Sequence, residues 1–245
     1  TALPRFAFAA GEGESPLRAP WEGPYGGVPP FDKVTPPAIK DAIMRGLELA
    51  RADVSALAGN GEPPNFENTL AAFEDSGRPL YRARTFLNIY TSTMNDDAMQ
   101  AIDSETSPIL AGFDDEVVQN EALFGRIKAV HDGREGAGLT AEQLRLTEVT
   151  YRDFERTGAA LSPEAKKRAG EINQRLATLF TNFGQNMLAD EENYTLVLET
   201  EADTAGLPDS IKAAAAAAAA ERSMAGKWVI TNTRSSMEPF LTFSS

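Results

Sequence analysis

Apolar residues recur every three or four positions through most of the chain, which predicts amphipathic helices rather than strands. Glycines, prolines and polar capping residues interrupt this pattern and divide it into seven predicted helices. These helices are expected to begin near Thr35, Asn65, Pro79, Asp96, Asn120, Thr140 and Ser162. Neighbouring apolar stripes are buried best when helices pack side by side in opposite directions. We therefore expect an antiparallel bundle of about seven helices over residues 21–190, preceded by a flexible tail at residues 1–20.

The seventh predicted helix is the longest, and Ser162 and Pro163 provide its first turn. Its apolar stripe consists of Ala169, Ile172, Leu176, Leu179, Phe183 and Met187, and we expect this stripe to face the other helices. Aromatic residues also fall at helical spacing, namely Phe73, Tyr90, Phe113, Phe154, Phe180 and Phe183. Core packing is the expected role of these aromatic residues, and a groove that binds peptides is the alternative.

The pattern changes over residues 191–245. Tyr194 to Glu199 (YTLVLE) and Lys227 to Asn232 (KWVITN) alternate in polarity and are rich in strand-forming residues. Between them, the alanine run from Ala213 to Ala220 is a strong local helix former. The chain is therefore predicted to be mainly α, with a small strand–helix–strand element after the helical bundle.

Composition and charge narrow the class of partner. The 245 residues are 42% hydrophobic and 24% charged, which is ordinary for a globular protein, and they carry a net charge of −13. A surface this acidic repels phosphate backbones and anionic lipids, so we expect neither a nucleic-acid partner nor a membrane partner. Cysteine is absent from the sequence, which excludes disulfides and thiolate chemistry.

The sequence offers few residues for catalysis. His131 is the only histidine, so the chain contains no H-E-x-x-H motif, and we expect His131 to be a polar residue near a helix end. No serine lies in a G-x-S-x-G turn, which disfavours a serine hydrolase triad. Acidic clusters at Asp96–Asp97, Asp114–Glu116 and Asp190–Glu192 are interpreted as solvated charged faces. No catalytic, metal-binding or cofactor-binding residue is assigned.

Several segments, in order along the chain, resemble the N-terminal, non-catalytic region of the thimet oligopeptidase-like zinc metallopeptidases. The first of them contains the irregular, aromatic stretch Trp21–Val34 (WEGPYGGVPPFDKV), in which Trp21, Tyr25 and Phe31 are expected to pack onto the helices. The matching pieces are GPYGGVPPFDKVTPPAIKDAI, PPNFENTLAAFEDSG, LTAEQLRLTEVTYRDFERTGAALS, INQRLATLFTNFGQNMLADE, DTAGLP, GKWVITN and EPFLTFS. The peptidyl-dipeptidase (dipeptidyl carboxypeptidase) branch is the most similar.

This resemblance implies a mainly helical protein around a deep channel, with one zinc held by an H-E-x-x-H motif and a later glutamate. Members of this branch remove dipeptides from the C-termini of short peptides. The zinc-site residues would all lie beyond Ser245, so none is carried onto this sequence. The resemblance implies that residues 21–190 form one wall of the channel, and that residues 191–245 lead toward a catalytic domain outside this chain.

Two interpretations from different functional classes follow. The chain is either the N-terminal region of a zinc-dependent peptidyl-dipeptidase, inactive in isolation, or a stand-alone helical module that binds peptides or proteins. Its start at Thr1 and its end at Ser245 favour a fragment of a longer protein. Surfaces that would pack on the catalytic half should then be exposed and promote self-association. A cytoplasmic location is expected, with the periplasm as the alternative if a leader is removed.

Overall fold

A computed structural model describes residues 16–17, 21–24 and 27–245 of the chain. The predicted tail at residues 1–20 therefore lies outside the described residues except for Pro16 and Leu17, and Leu17 is buried in a hydrophobic cluster. The Cα positions form two compact units, Thr1–Thr181 and Asn182–Ser245. The predicted mainly α fold is confirmed, whereas the proposed domain division between residues 190 and 191 stays a prediction.

The seven helices start within one residue of the predicted positions. They are α1 (Pro36–Ala58), α2 (a π-helix over Phe66–Ala71 continued by Ala72–Asp75), α3 (Arg78–Thr93), α4 (Asp97–Val118), α5 (Glu121–Asp132), α6 (Ala141–Thr157) and α7 (Pro163–Asn193). Asn65 and Thr140 each form a capping box with the residue three positions later, which satisfies backbone donors at the starts of α2 and α6. Asp96 and Asn120 cap α4 and α5 through their side chains.

Helices α1, α3 and α4 enclose the larger core of the first unit. A side chain at Gly46 of α1 would come within 2.8 Å of the Leu80 Cα atom, so glycine permits α1 and α3 to approach closely. Phe86 lies at the centre of this core and contacts Trp21 and Phe31 at ring-centroid distances of 6.0 and 5.1 Å. The aromatic segment before α1 therefore packs on the helices as predicted, whereas Tyr25 lies outside the described residues.

A second core lies between α5 and α6 and includes Val54 at the end of α1. The buried Arg126 of α5 connects this core to the loop between α1 and α2. Its guanidinium donates hydrogen bonds to the carbonyl oxygens of Asn60 and Glu62, at 2.6 and 3.0 Å, and to the Asn68 side chain at 3.0 Å. Because two of these acceptors lie in the loop and the third lies in the first turn of α2, Arg126 fixes the loop and the start of α2 together.

The second unit contains a two-stranded antiparallel sheet. Strand β1 (Thr195–Leu198) pairs with β2 (Trp228–Thr231), so that Thr195 lies opposite Thr231. Helix α8 (Asp209–Glu221), built from the alanine run, buries Ala215 beside Leu198 and Ile230. The predicted strand–helix–strand element is therefore present.

A further helix, α9 (Arg234–Phe243), follows β2 and was missed from the sequence. Thr233 makes no side-chain cap there, and Pro239 lies inside the helix, where proline normally interrupts hydrogen bonding. Packing of Phe240 against the core beside α8 stabilises α9 instead.

Candidate interaction surface on helix α7

The inner side of α7 is polar and packs against α4. Asn173 donates a hydrogen bond from Nδ2 to the Asp115 carboxylate at 2.6 Å. Near the start of α7, the backbone and side chains of Lys166 and Gln119 exchange hydrogen bonds of 3.1 and 3.4 Å. Further along, the Thr181 hydroxyl donates to the Ser107 hydroxyl at 3.1 Å. As the residue numbers rise along α7, the numbers of their partners on α4 fall. Helix α7 is therefore antiparallel to α4.

The apolar residues of α7 lie on the opposite side. At about 100° per residue, six large apolar side chains fall within an arc of roughly 100°. They are between 42% and 70% exposed, and they are Ile172, Leu176, Leu179, Phe180, Phe183 and Met187. We call this set the α7 apolar face.

The expectation that the α7 stripe faces the other helices is wrong. Lys166 is the buried residue of α7, and the helix presents its polar side to α4 instead. The physical reason lies in α4, which offers Asp115 and Gln119 where an apolar partner would be needed. An apolar side chain placed there would leave these polar groups without partners, which carries a desolvation cost.

The aromatic residues divide in the same way. Tyr90, Phe113 and Phe154 are at most 7% exposed and belong to the cores, as predicted. The expectation of core packing is wrong for Phe180 and Phe183, which belong to the α7 apolar face.

An open cavity of about 330 Å³ is lined in part by core aromatic residues. Phe73, Phe113 and Phe154 contribute to its lining together with Arg84. The cavity is at the small end of the range for ligand pockets, so it does not by itself indicate a peptide groove.

His131 lies at the end of α5, where a polar residue was expected. Its ring stacks on the Tyr151 ring of α6 at a centroid distance of 4.0 Å, and Nδ1 lies 3.3 Å from the Asp132 carboxylate. A hydrogen bond from Lys128, assisted by His131, holds the pKa of Asp132 below its usual value. The stacking of His131 on Tyr151 joins α5 to α6.

The acidic clusters do not converge on a common point. Asp114 forms a two-bond pair with Arg84 at 2.7 and 3.1 Å, and Glu116 forms one with Arg51 at 2.7 and 3.1 Å. Asp115, which lies between them, faces α7. Because each carboxylate has its own partner on a different helix, this cluster connects helices. Within the described residues, no three His, Cys, Asp or Glu side chains are close enough to hold a metal ion.

No family model matches the chain. Individual proteins do. The chain is 33% identical to dipeptidyl carboxypeptidase of Escherichia coli over 214 residues, which are 87% of the chain and 31% of that protein. It is 32% identical to dipeptidyl carboxypeptidase of Salmonella typhimurium, again over 87% of the chain. It is 29% identical to oligopeptidase A of Escherichia coli over 94% of the chain and 33% of that protein.

The chain belongs to the dipeptidyl carboxypeptidase and oligopeptidase A family of peptidases. The resemblance inferred from the ordered segments is thereby confirmed. The chain spans about a third of the length of these peptidases. Among the described residues, no helix has the length and hydropathy needed to cross a membrane.

Proposed function

We propose that this chain is the N-terminal, non-catalytic region of a zinc-dependent peptidyl-dipeptidase or oligopeptidase. Its helices would form one wall of the channel that admits short peptides. The observation that carries the proposal is the extent of the match: most of this chain aligns with only about a third of each peptidase. A wall that restricts access would explain how such an enzyme acts on short, unfolded peptides and spares folded proteins.

The residues that the structure describes do not form a zinc site. A catalytic zinc needs three protein ligands around one open position, and imidazole nitrogens usually supply at least one of them. The only histidine stacks on Tyr151 and has Asp132 as its neighbour, and no group of three metal-ligating side chains occurs among the described residues. Zinc binding and the activation of water therefore belong, under this proposal, to the remaining part of the longer protein.

The α7 apolar face supports the same proposal. Exposed apolar patches of this kind mark surfaces that another structure covers. In a protein three times as long, the remaining polypeptide would supply that cover. The face equally favours a second candidate, a stand-alone helical module that binds a peptide or protein partner without catalysis.

A comparison of two proteins tests the proposal: the 245-residue chain and the product of the complete gene. Each is incubated with a blocked peptide, and the released dipeptides and bound zinc are measured. We expect dipeptide release and one tightly bound zinc for the complete product only, with activity lost on chelation. A stop codon directly after Ser245 would favour the stand-alone module. Stoichiometric, tight zinc in the 245-residue chain would contradict the assignment of the metal site elsewhere.

A further inference from the structure

The α7 apolar face is symmetric along the helix. Its members occur in pairs at equal distances from the midpoint between residues 179 and 180. The pairs are Leu179 with Phe180, Leu176 with Phe183, and Ile172 with Met187. A helix that runs antiparallel to a copy of itself about this midpoint would place each member opposite its counterpart.

Under the proposed function, the remaining polypeptide would cover this face in the longer protein. In the 245-residue chain by itself, we propose that the α7 apolar face binds the same face of a second copy, with the two α7 helices antiparallel. Such a contact is isologous, because the same patch on both copies forms it, and it closes at a dimer. Large apolar side chains at spacings of three and four residues are those that interlock between packed helices. All six side chains are at least 42% exposed in the single chain, so they can be buried without repacking a core.

Charges at the two ends of the face select the antiparallel direction. Arg168 lies one turn before Ile172, and Asp190 lies about one turn after Met187. The antiparallel arrangement brings Arg168 of one copy beside Asp190 of the other, on the same side of the helix pair. A parallel arrangement would instead bring like charges together and align the two helix dipoles.

Both charged groups can form this contact. Arg168 now pairs with Glu171 on the same helix at 3.0 Å, an exposed interaction of small energy. Asp190 accepts a hydrogen bond from Asn232, and a carboxylate has acceptor sites for a further donor. Each copy carries a net charge of −13, so two copies repel each other at long range. Against this repulsion, the pairing of Arg168 with Asp190 favours the antiparallel over the parallel arrangement of the two helices.

The first test measures mass in solution by light scattering, from about 1 µM to about 1 mM protein. We expect a shift from 26.4 kDa to twice that mass as concentration rises. Phe180→Asp places a charge beside the two-fold axis and should raise the dissociation constant at least about 30-fold. Tyr81→Asp is the matched control, because Tyr81 is 75% exposed on α3 and should leave the dissociation constant unchanged. Circular dichroism checks that both variants remain folded.

The second test uses the absence of cysteine from the sequence. Ile172→Cys and Met187→Cys are prepared as separate chains and oxidised alone and as a mixture. In the antiparallel pair, the two copies of residue 172 lie about 22 Å apart along the axis, because 15 residues separate positions 172 and 187. We therefore expect covalent dimers from the mixture and almost none from either chain alone.

Three outcomes would overturn the proposal. A mass of 26.4 kDa at every concentration would show that this face does not bind a second copy. Equal weakening by Phe180→Asp and Tyr81→Asp would place the contact elsewhere. Covalent dimers from Ile172→Cys alone would show a parallel arrangement. None of these results depends on peptide hydrolysis or zinc, so failure here is distinguishable from failure of the proposed function.

Discussion

Helices α1 and α7 carry the same kind of apolar stripe, yet only the stripe of α1 is buried. Ile39, Ile43, Leu47, Ala50 and Val54 of α1 are at most 9% exposed, whereas the six residues of the α7 apolar face are at least 42% exposed. The apolar side of α1 packs against α3 and α4, whose facing side chains are apolar as well. The polar side of α7 packs against α4 through hydrogen bonds. The side of a helix that packs into the bundle is therefore the side whose chemistry matches the neighbouring helix.

This difference separates two ways of attaching a helix. Burial of apolar area gives a large, non-directional stabilisation, and it uses the apolar side of the helix. Attachment by hydrogen bonds contributes less per contact, but it leaves the apolar side free for another surface. Helix α7 is thus held in place while it presents six large apolar residues to solvent.

The contrast between α1 and α7 predicts the largest loss of stability for a substitution in the core between α1, α3 and α4. Phe86→Ala should lower the free energy of unfolding by about 3–5 kcal/mol, because Phe86 is 1% exposed and its removal leaves a cavity. The matched change Phe180→Ala should alter it by less than about 0.5 kcal/mol, because Phe180 is 70% exposed. Urea unfolding followed by circular dichroism, at a concentration where the chain is monomeric, measures both. Similar losses for the two variants would mean that the α7 apolar face is covered within the single chain.

The second prediction concerns the polar side of α7. Asn173→Ala should cost about 1–3 kcal/mol, because it leaves the partly buried Asp115 carboxylate without its donor. The control is Asn186→Ala, the same change at an exposed position of the same helix. We expect that variant to unfold within about 0.5 kcal/mol of the original chain. If Asn173→Ala were equally harmless, hydrogen bonding would not explain how α7 is attached, and the contrast with α1 would lose its basis.

Element positions were predictable because their signals are local. Proline, glycine and capping residues such as Asn65 and Thr140 fix helix starts through contacts within four residues, and the structure contains those contacts. The side that α7 turns toward α4 was not predictable in the same way. Periodicity shows that a helix has an apolar side, but the neighbour decides what covers it. Asp115 and Gln119 were the available signal, because these polar residues lie on α4 where an apolar stripe would have to pack.

Prediction of the α7 apolar face needed information that the local sequence pattern does not contain. The sequence correctly indicated the peptidase family through the order of several modest segments, and the comparisons confirmed it. Phe180 and Phe183 were expected in the core, because an aromatic residue at helical spacing is usually buried. Their exposure follows from the orientation of α7, which only the three-dimensional arrangement shows.

The smallest predicted effect lies in the second unit, in an exposed turn that is also held by polar contacts. The Asp203 carboxylate accepts hydrogen bonds from the backbone N–H and hydroxyl of Thr200, at 2.8 and 2.9 Å, and from the Glu199 N–H at 3.1 Å. The Thr200 backbone bond, followed by its hydroxyl bond, lowers the pKa of Asp203. Because the pKa is lower in the folded chain, the stabilisation is complete above the unfolded value of about 3.9. It is lost as the pH falls through the folded pKa.

Asp203→Asn should therefore reduce the melting temperature slightly at neutral pH and flatten its decline in acid. Thermal unfolding between about pH 2 and pH 7 measures this dependence, and an NMR titration of the Asp203 carboxyl gives its pKa directly. The control is Glu201→Gln, which removes a charge from the same turn and keeps the three hydrogen bonds to Asp203. An equal flattening by both variants would assign the acid sensitivity to overall charge. If only Asp203→Asn flattens the pH dependence of the melting temperature, hydrogen bonds to Asp203 stabilise this turn without apolar burial. The hydrogen bonds between α7 and α4 are contacts of the same kind.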